Sequence, residues 1–76
     1  MFDILKEMAL SVMEDKSMEV TENSKLMADL KINSFDLMEL VCQVENEFDI
    51  EIPDKKLRTL VTIKDVMMYI EETRNN

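Results

Sequence analysis

The chain has no glycine and a single proline, Pro53, among its 76 residues. That absence constrains the fold more than any other feature. Tight β-hairpins depend on residues that accept positive φ, and glycine does so at the least steric cost. A strand-rich fold is therefore disfavoured and a helical one expected. The length suits one small domain over residues 1–76, near the size at which a hydrophobic core alone gives marginal stability. Apolar residues form 46% of the chain, enough for a core and too many for a disordered segment.

Apolar residues recur at helical spacing in three stretches. Leu5, Met8, Ala9, Val12 and Met13 predict a first helix over Phe2 to Asp15. Leu37, Leu40, Val41, Val44 and Phe48 form the clearest stripe, on a second helix that starts around Ser34. It should stop by Asp49 or Ile50, because Pro53 disfavours helix for the residue before it. Ile63, Val66, Met67 and Ile70 mark a last helix from Ile63 to about Glu72, with Thr62 as cap and Asp65 completing a weak capping box. A short third helix fits Asp54 to Leu60, capped by Asp54, with Leu57 and Leu60 inward. Lys16 to Ile32 is a long polar connection whose Val20, Leu26, Leu30 and Ile32 should pin it to the core, with a turn of helix near Ser24 to Met27. No single helix can bury its own stripe. The expected fold is all-α: a small four-helix bundle, three longer helices and a short third, with a long loop between helices one and two.

The side-chain inventory excludes several kinds of function. Without histidine, the chain cannot perform histidine acid–base or nucleophilic catalysis, and the usual zinc arrangements are unavailable. Cys42 is the lone cysteine, so no internal disulfide can form; beside the stripe of helix two it reads as a partly buried small hydrophobe. Calcium binding fails on spacing, since "DLKINSFDLMEL" has serine where an EF-hand loop needs glycine and leucine at its twelfth position. No catalytic residue and no metal site are expected. No apolar run approaches the roughly 18 residues of a membrane span. "MFDILKEM" lacks the basic start of a secretory signal, so a cytoplasmic protein without membrane insertion is expected.

The formal charge of −8 comes from 17 acids and 9 bases, and its placement says more than its sum. Ser34 to Asp54 holds seven acids and no base, and the rest of the chain is almost neutral. Such a field repels nucleic acid and anionic membranes and speeds encounter with basic protein patches. It equally serves as a solvated face that keeps a small protein soluble. Charge alone leaves both readings open.

Ser34 lies where the loop gives way to helix two. As a cap its hydroxyl would satisfy a free backbone N–H, worth about 1 kcal/mol. Asn33 can do the same. A helix start also seats an attached phosphate, because its free amides and dipole both favour negative charge. The spacing by itself does not choose between these roles.

The surrounding motifs resemble the acyl carrier proteins, whose signature is Asp-Ser-Leu at the start of the second helix. Here the matching run is "DLKINSFDLMEL", Asp29 to Leu40, followed by "VENEFDIEIPD" and "VTIKDVMMYIEE" in the family's order. The upstream "EVTENSKLMADL" also keeps family spacing, so the resemblance covers nearly the whole chain. It implies a non-catalytic carrier with 4′-phosphopantetheine attached to Ser34, transferred from coenzyme A by a separate phosphopantetheinyl transferase. Cargo would ride as a thioester on that arm, with the chemistry supplied by cofactor and partner enzymes.

The resemblance further implies that Asp36, Glu39, Glu45 and Glu47 form a recognition face for basic patches on acyl-processing enzymes. Phe35 takes the leucine place as an exposed apolar anchor. Leu37, Leu40, Val41, Phe48, Leu57, Ile63 and Met67 would line a core able to part around an acyl chain. Eight methionines would make that interior adaptable. A monomer serving fatty-acid biosynthesis is the leading expectation. Three departures leave room for a specialised carrier of polyketide, lipid or amino-acid cargo: Asn33 for the usual Asp, Lys31 for the common Gly, and the bases Lys55, Lys56 and Arg58 in helix three. Without a glycine, the loop at Lys31 is expected to forgo positive φ. An unmodified helical interaction module is the alternative outside the carrier class.

Overall fold

A computed structural model describes residues 1–74 of the chain. Four helices follow one another: α1 (Phe2–Val12), α2 (Ser34–Phe48), α3 (Asp54–Leu57) and α4 (Ile63–Arg74). α1 packs on α2 and α4, and α3 is a single turn. The all-α bundle expected from the spacing is what forms. Its only β-type pairing among the described residues is an isolated antiparallel bridge between Lys25 and Thr62.

Each long helix buries the stripe its spacing dictated. Leu5, Ala9 and Val12 of α1 meet Leu40, Val41 and Val44 of α2 and Ile63, Val66 and Ile70 of α4 in one cluster. Ile70 and Ala9 are fully buried. Burial of a large aliphatic side chain is worth about 1.5–3 kcal/mol, so this cluster dominates stability. The methionines contribute less than expected. Of the eight, only Met13 is buried, and Met1, Met27, Met38 and Met68 are exposed; the interior is aliphatic rather than Met-rich.

Helix ends differ from the sequence expectation where local bonds intervene. α1 stops at Val12 rather than Asp15, because Met13 turns extended (φ −86°, ψ 143°) and buries its side chain. Lys16 Nζ then donates to the carbonyls of Leu10 and Met13, capping the negative helix end. α3 ends at Leu57 rather than Leu60, and its cap is Pro53, with Asp54 already the first helical residue. Leu60 is nonetheless buried. α4 continues past Glu72 to Arg74. Its start is a reciprocal capping box: Thr62 Oγ1 accepts the Asp65 N–H (3.1 Å), and Asp65 Oδ2 accepts the Thr62 (3.0 Å) and Val61 (2.9 Å) N–H groups. The Thr62 N–H chiefly holds the Asp65 carboxyl below its ordinary pKa, against a smaller opposing effect of burial.

The long connection is pinned as the apolar pattern required, with Val20, Leu26, Leu30 and Ile32 all buried. The helix turn expected near Ser24 to Met27 does not form; residues 26–30 make a non-helical turn instead, closed by the Asp29 and Leu30 N–H groups on the Lys25 carbonyl. Backbone bonds add a second restraint that periodicity could not reveal. The N–H of Leu26 donates to Val61 (2.9 Å), and those of Ile63 and Lys64 donate back to Ser24 and Glu22. The loop is thereby tied to the α3–α4 junction.

Two residues take positive φ without being glycine, Lys31 (φ 59°) and Asp49 (φ 53°). The loop before Ser34 therefore keeps the left-handed turn rather than avoiding it, and Lys31 bears the steric cost. That cost is about 1–2 kcal/mol for an L-residue. Lys31→Gly is expected to raise unfolding stability by about 1 kcal/mol in urea titration, after the extra entropy of glycine in the unfolded chain is subtracted. An unchanged or lower midpoint would show that the lysine side chain is favourably held. Asp49 plays the matching part at the end of α2, where the Ile50 N–H reaches back to the Glu45 carbonyl (3.2 Å).

Candidate functional site

At the start of α2 the capping question is decided by geometry. Asn33 is the N-cap: its Oδ1 accepts the Asp36 N–H at 2.8 Å, and its carbonyl accepts the Leu37 N–H at 2.8 Å. Ser34 is the first helical residue and exposed. Among the described residues its hydroxyl enters no hydrogen bond. It stands at the positive end of a helix dipole, and among the described residues no side chain accepts a hydrogen bond from it. Any reaction at this oxygen needs a partner's base. The first-turn amides left free beside it suit a phosphate ester.

Two spaces of very different size lie against α2, and only the larger is lined by Ser34. An open groove of about 460 Å³ is lined by Ser34, Leu37 and Met38 of α2, by Met27 of the loop, and by Leu57 and Val61 around α3. Behind it an enclosed space among Leu37, Leu40, Val41, Leu57 and Ile63 holds only about 20 Å³. That is little more than one water occupies. Five of the residues implied as an acyl lining thus share one interior point. Phe48 and Met67 do not line it: both pack half-buried at the edge of the core, Phe48 under the Arg74 guanidinium (5.9 Å to the ring centroid).

The outward side of α2 separates the residues implied as a recognition face. Phe35 is 81% exposed and shares a shallow depression with Met38, Glu39 and Cys42. These recur at 3–4 spacing, so they form one strip along the helix. Helical geometry sets Asp36 and Glu47 on one flank of it and Glu45 on the other. Glu47 is exposed and Asp36 half-buried. Glu45 is committed within the chain: its Oε2 accepts the Ile52 N–H at 2.8 Å and holds the α2–α3 connection. Tyr69 closes the same connection from α4 through a 2.7 Å bond to the Glu51 carbonyl.

Cys42 is exposed, not partly buried, because it falls on the Phe35 side of the helix rather than beside Val41. Met38, Met27 and Val61 were not singled out by sequence reasoning. Met38 had a usable signal, standing one turn after Ser34 on the same face. Met27 and Val61 had none, since only the loop's pairing with the α3–α4 junction brings them near. Among the described residues, no group of acids and the cysteine is disposed to hold a metal ion, and no helix is long and apolar enough to cross a membrane.

Known proteins resemble this chain along most of its length. The family model described as "Phosphopantetheine attachment site" matches residues 3–70. An acyl carrier protein of Wolinella succinogenes is 40% identical over 73 residues, 96% of each chain. One from a Sulfurovum species is 39% identical over 71 residues, covering 93% of this chain and 95% of its own. One from Campylobacter lari is 40% identical over 70 residues, covering 92% of this chain and 91% of its own.

Proposed function

This chain belongs to the acyl carrier proteins, non-catalytic carriers that hold acyl groups on a covalent 4′-phosphopantetheine, and on that premise we propose that Ser34 bears the arm. The observation that carries the proposal is the division of labour at the helix start: Asn33 caps, and Ser34 presents an uncommitted hydroxyl. The fit is good on both sides of that oxygen. The first-turn amides left free would suit a phosphodiester, and a groove with an apolar floor between Lys25 and Arg58 adjoins the hydroxyl from which an arm would leave. When bound, the group supplies the thiol that this chain lacks at the site; the protein's own residues position it and expose it to partners.

Incubation with coenzyme A, magnesium and a broad-specificity phosphopantetheinyl transferase should add one phosphopantetheinyl group by intact mass. Peptide fragmentation should locate it on Ser34. No gain with several transferases would leave an unmodified helical interaction module as the better reading.

The proposed cargo pathway is fatty-acid biosynthesis, carried out by a monomeric carrier in the cytoplasm. It rests on the carrier role, which similarity along nearly the full length of proteins named acyl carrier protein supports. The modified protein, given to a dissociated fatty-acid synthase set lacking its own carrier, should support formation of saturated acyl chains. Loading without elongation would favour a specialised carrier.

Phe35, Asp36, Glu39 and Glu47 are proposed to guide docking on basic enzyme patches, with Glu45 adding charge while anchored to Ile52. Energetics supports a docking role. Glu47 and Asp49 crowd the negative end of α2, whose last turn has no base, whereas Glu45 is offset by its bond to the Ile52 N–H. Each such charge costs roughly 0.3–1 kcal/mol at low ionic strength, so the run does not serve helix stability. Charge reversal at Asp36 and Glu39 is expected to slow arm transfer about tenfold or more at low salt and much less at high salt. Equal slowing at both ionic strengths would assign docking to shape instead.

A further inference from the structure

The groove beside Ser34 has the opposite charge from the protein around it. The chain carries a formal −8, yet the groove lining contains two cations, Lys25 and Arg58, and no carboxylate among the described residues. Both cations are exposed. Between them the surface is apolar, formed by Met27, Leu57 and Val61. Lys25 is fixed at its backbone by the bridge to Thr62 and by its N–H on Asp29 Oδ2 (2.8 Å). Arg58 is fixed as the residue that ends α3.

Volume decides where a tethered chain finds room. The groove, at about 460 Å³, lies within the roughly 300–1,000 Å³ typical of small-molecule sites, whereas the interior offers about 20 Å³. On the reading that Ser34 carries the arm, we propose that this groove receives the acyl end of the cargo. Lys25 and Arg58 there favour an acyl group that terminates in a carboxylate. Methylenes lie on the apolar floor, and the terminal anion takes charge-assisted hydrogen bonds from the ammonium or the guanidinium. A methyl-ended chain of the same length leaves both cations in water and gains nothing from them.

The transferase can load the arm already acylated, from two acyl-coenzyme A thioesters of equal chain length, one methyl-ended and one carboxylate-ended. Intact mass verifies each loading. The carboxylate cargo should move the Lys25 and Arg58 amide resonances more than the methyl cargo does. It should also raise the thermal midpoint by about 3 °C relative to the methyl cargo, an effect that salt diminishes. Both differences should vanish in the Lys25→Ala/Arg58→Ala double variant loaded to the same extent. Identical responses to the two cargoes, or larger shifts at interior Val44 and Val66 than in the groove, would overturn the proposal while leaving Ser34 as the tether. No mass gain on the wild-type chain would remove the tether, and the proposal with it.

Discussion

Ser34→Ala is expected to abolish phosphopantetheine incorporation completely while changing unfolding stability by no more than about 0.5 kcal/mol, the usual range for a surface substitution. The adjacent substitution should behave in the opposite way. Asn33→Ala removes the oxygen that accepts the Asp36 N–H at 2.8 Å, so it should cost about 1 kcal/mol. It leaves the Ser34 hydroxyl in place, and incorporation should persist at a reduced rate as the helix start frays. Intact mass after transferase treatment reads one effect and urea titration the other. Uptake by Ser34→Ala would move the attachment to another residue. A stability loss matching that of Asn33→Ala would make Ser34 a structural cap after all.

Ile70→Ala should have the largest effect on the fold. Ile70 is fully buried, on the α4 face that meets α1 and α2. Truncating a buried isoleucine costs about 2–5 kcal/mol, through lost transfer energy and the cavity left behind. A domain of this size has a total stability of roughly 4–11 kcal/mol, at about 0.05–0.15 kcal/mol per residue. The variant should therefore melt tens of degrees lower by circular dichroism. Met68→Ala, on the same helix but 51% exposed, should stay within about 0.5 kcal/mol of wild type. Similar losses for both would mean that α4 is stabilised by helix propensity rather than by packing.

The elements legible in the sequence were those whose signal is local and periodic. The stripes of α1, α2 and α4 needed only 3–4 spacing, and Thr62 with Asp65 announced its capping box within four residues. Boundaries were less legible because they depend on single long side chains and on tertiary burial. Lys16 ends α1 by reaching back to Leu10 and Met13, and buried Met13 prefers the core to another turn of helix. Lys31 misled for a different reason. Glycine is the usual residue at positive φ, but the bonds that shape the loop around Leu26, Leu30 and Ile32 over-determine its conformation, so a lysine adopts it at a cost. At the site, the motif order pointed to Ser34 and to the acids behind it. Phase around the helix then separated Glu45 from Glu39, a distinction of direction that a residue count does not carry.

By itself the sequence determined a helical chain with three buried stripes, an acidic second helix and a serine at its start. It did so because helix periodicity, turn chemistry and charge are properties of neighbouring residues. The choice of cap for α2 is also local, but two adjacent residues could each make it, and only the structure shows that Asn33 accepts the Asp36 N–H. Only the tertiary structure brought Lys25, Met27, Arg58 and Val61 to the edge of Ser34, because those residues meet through backbone pairing across more than thirty positions of sequence. The cationic groove beside the free hydroxyl is a consequence of packing.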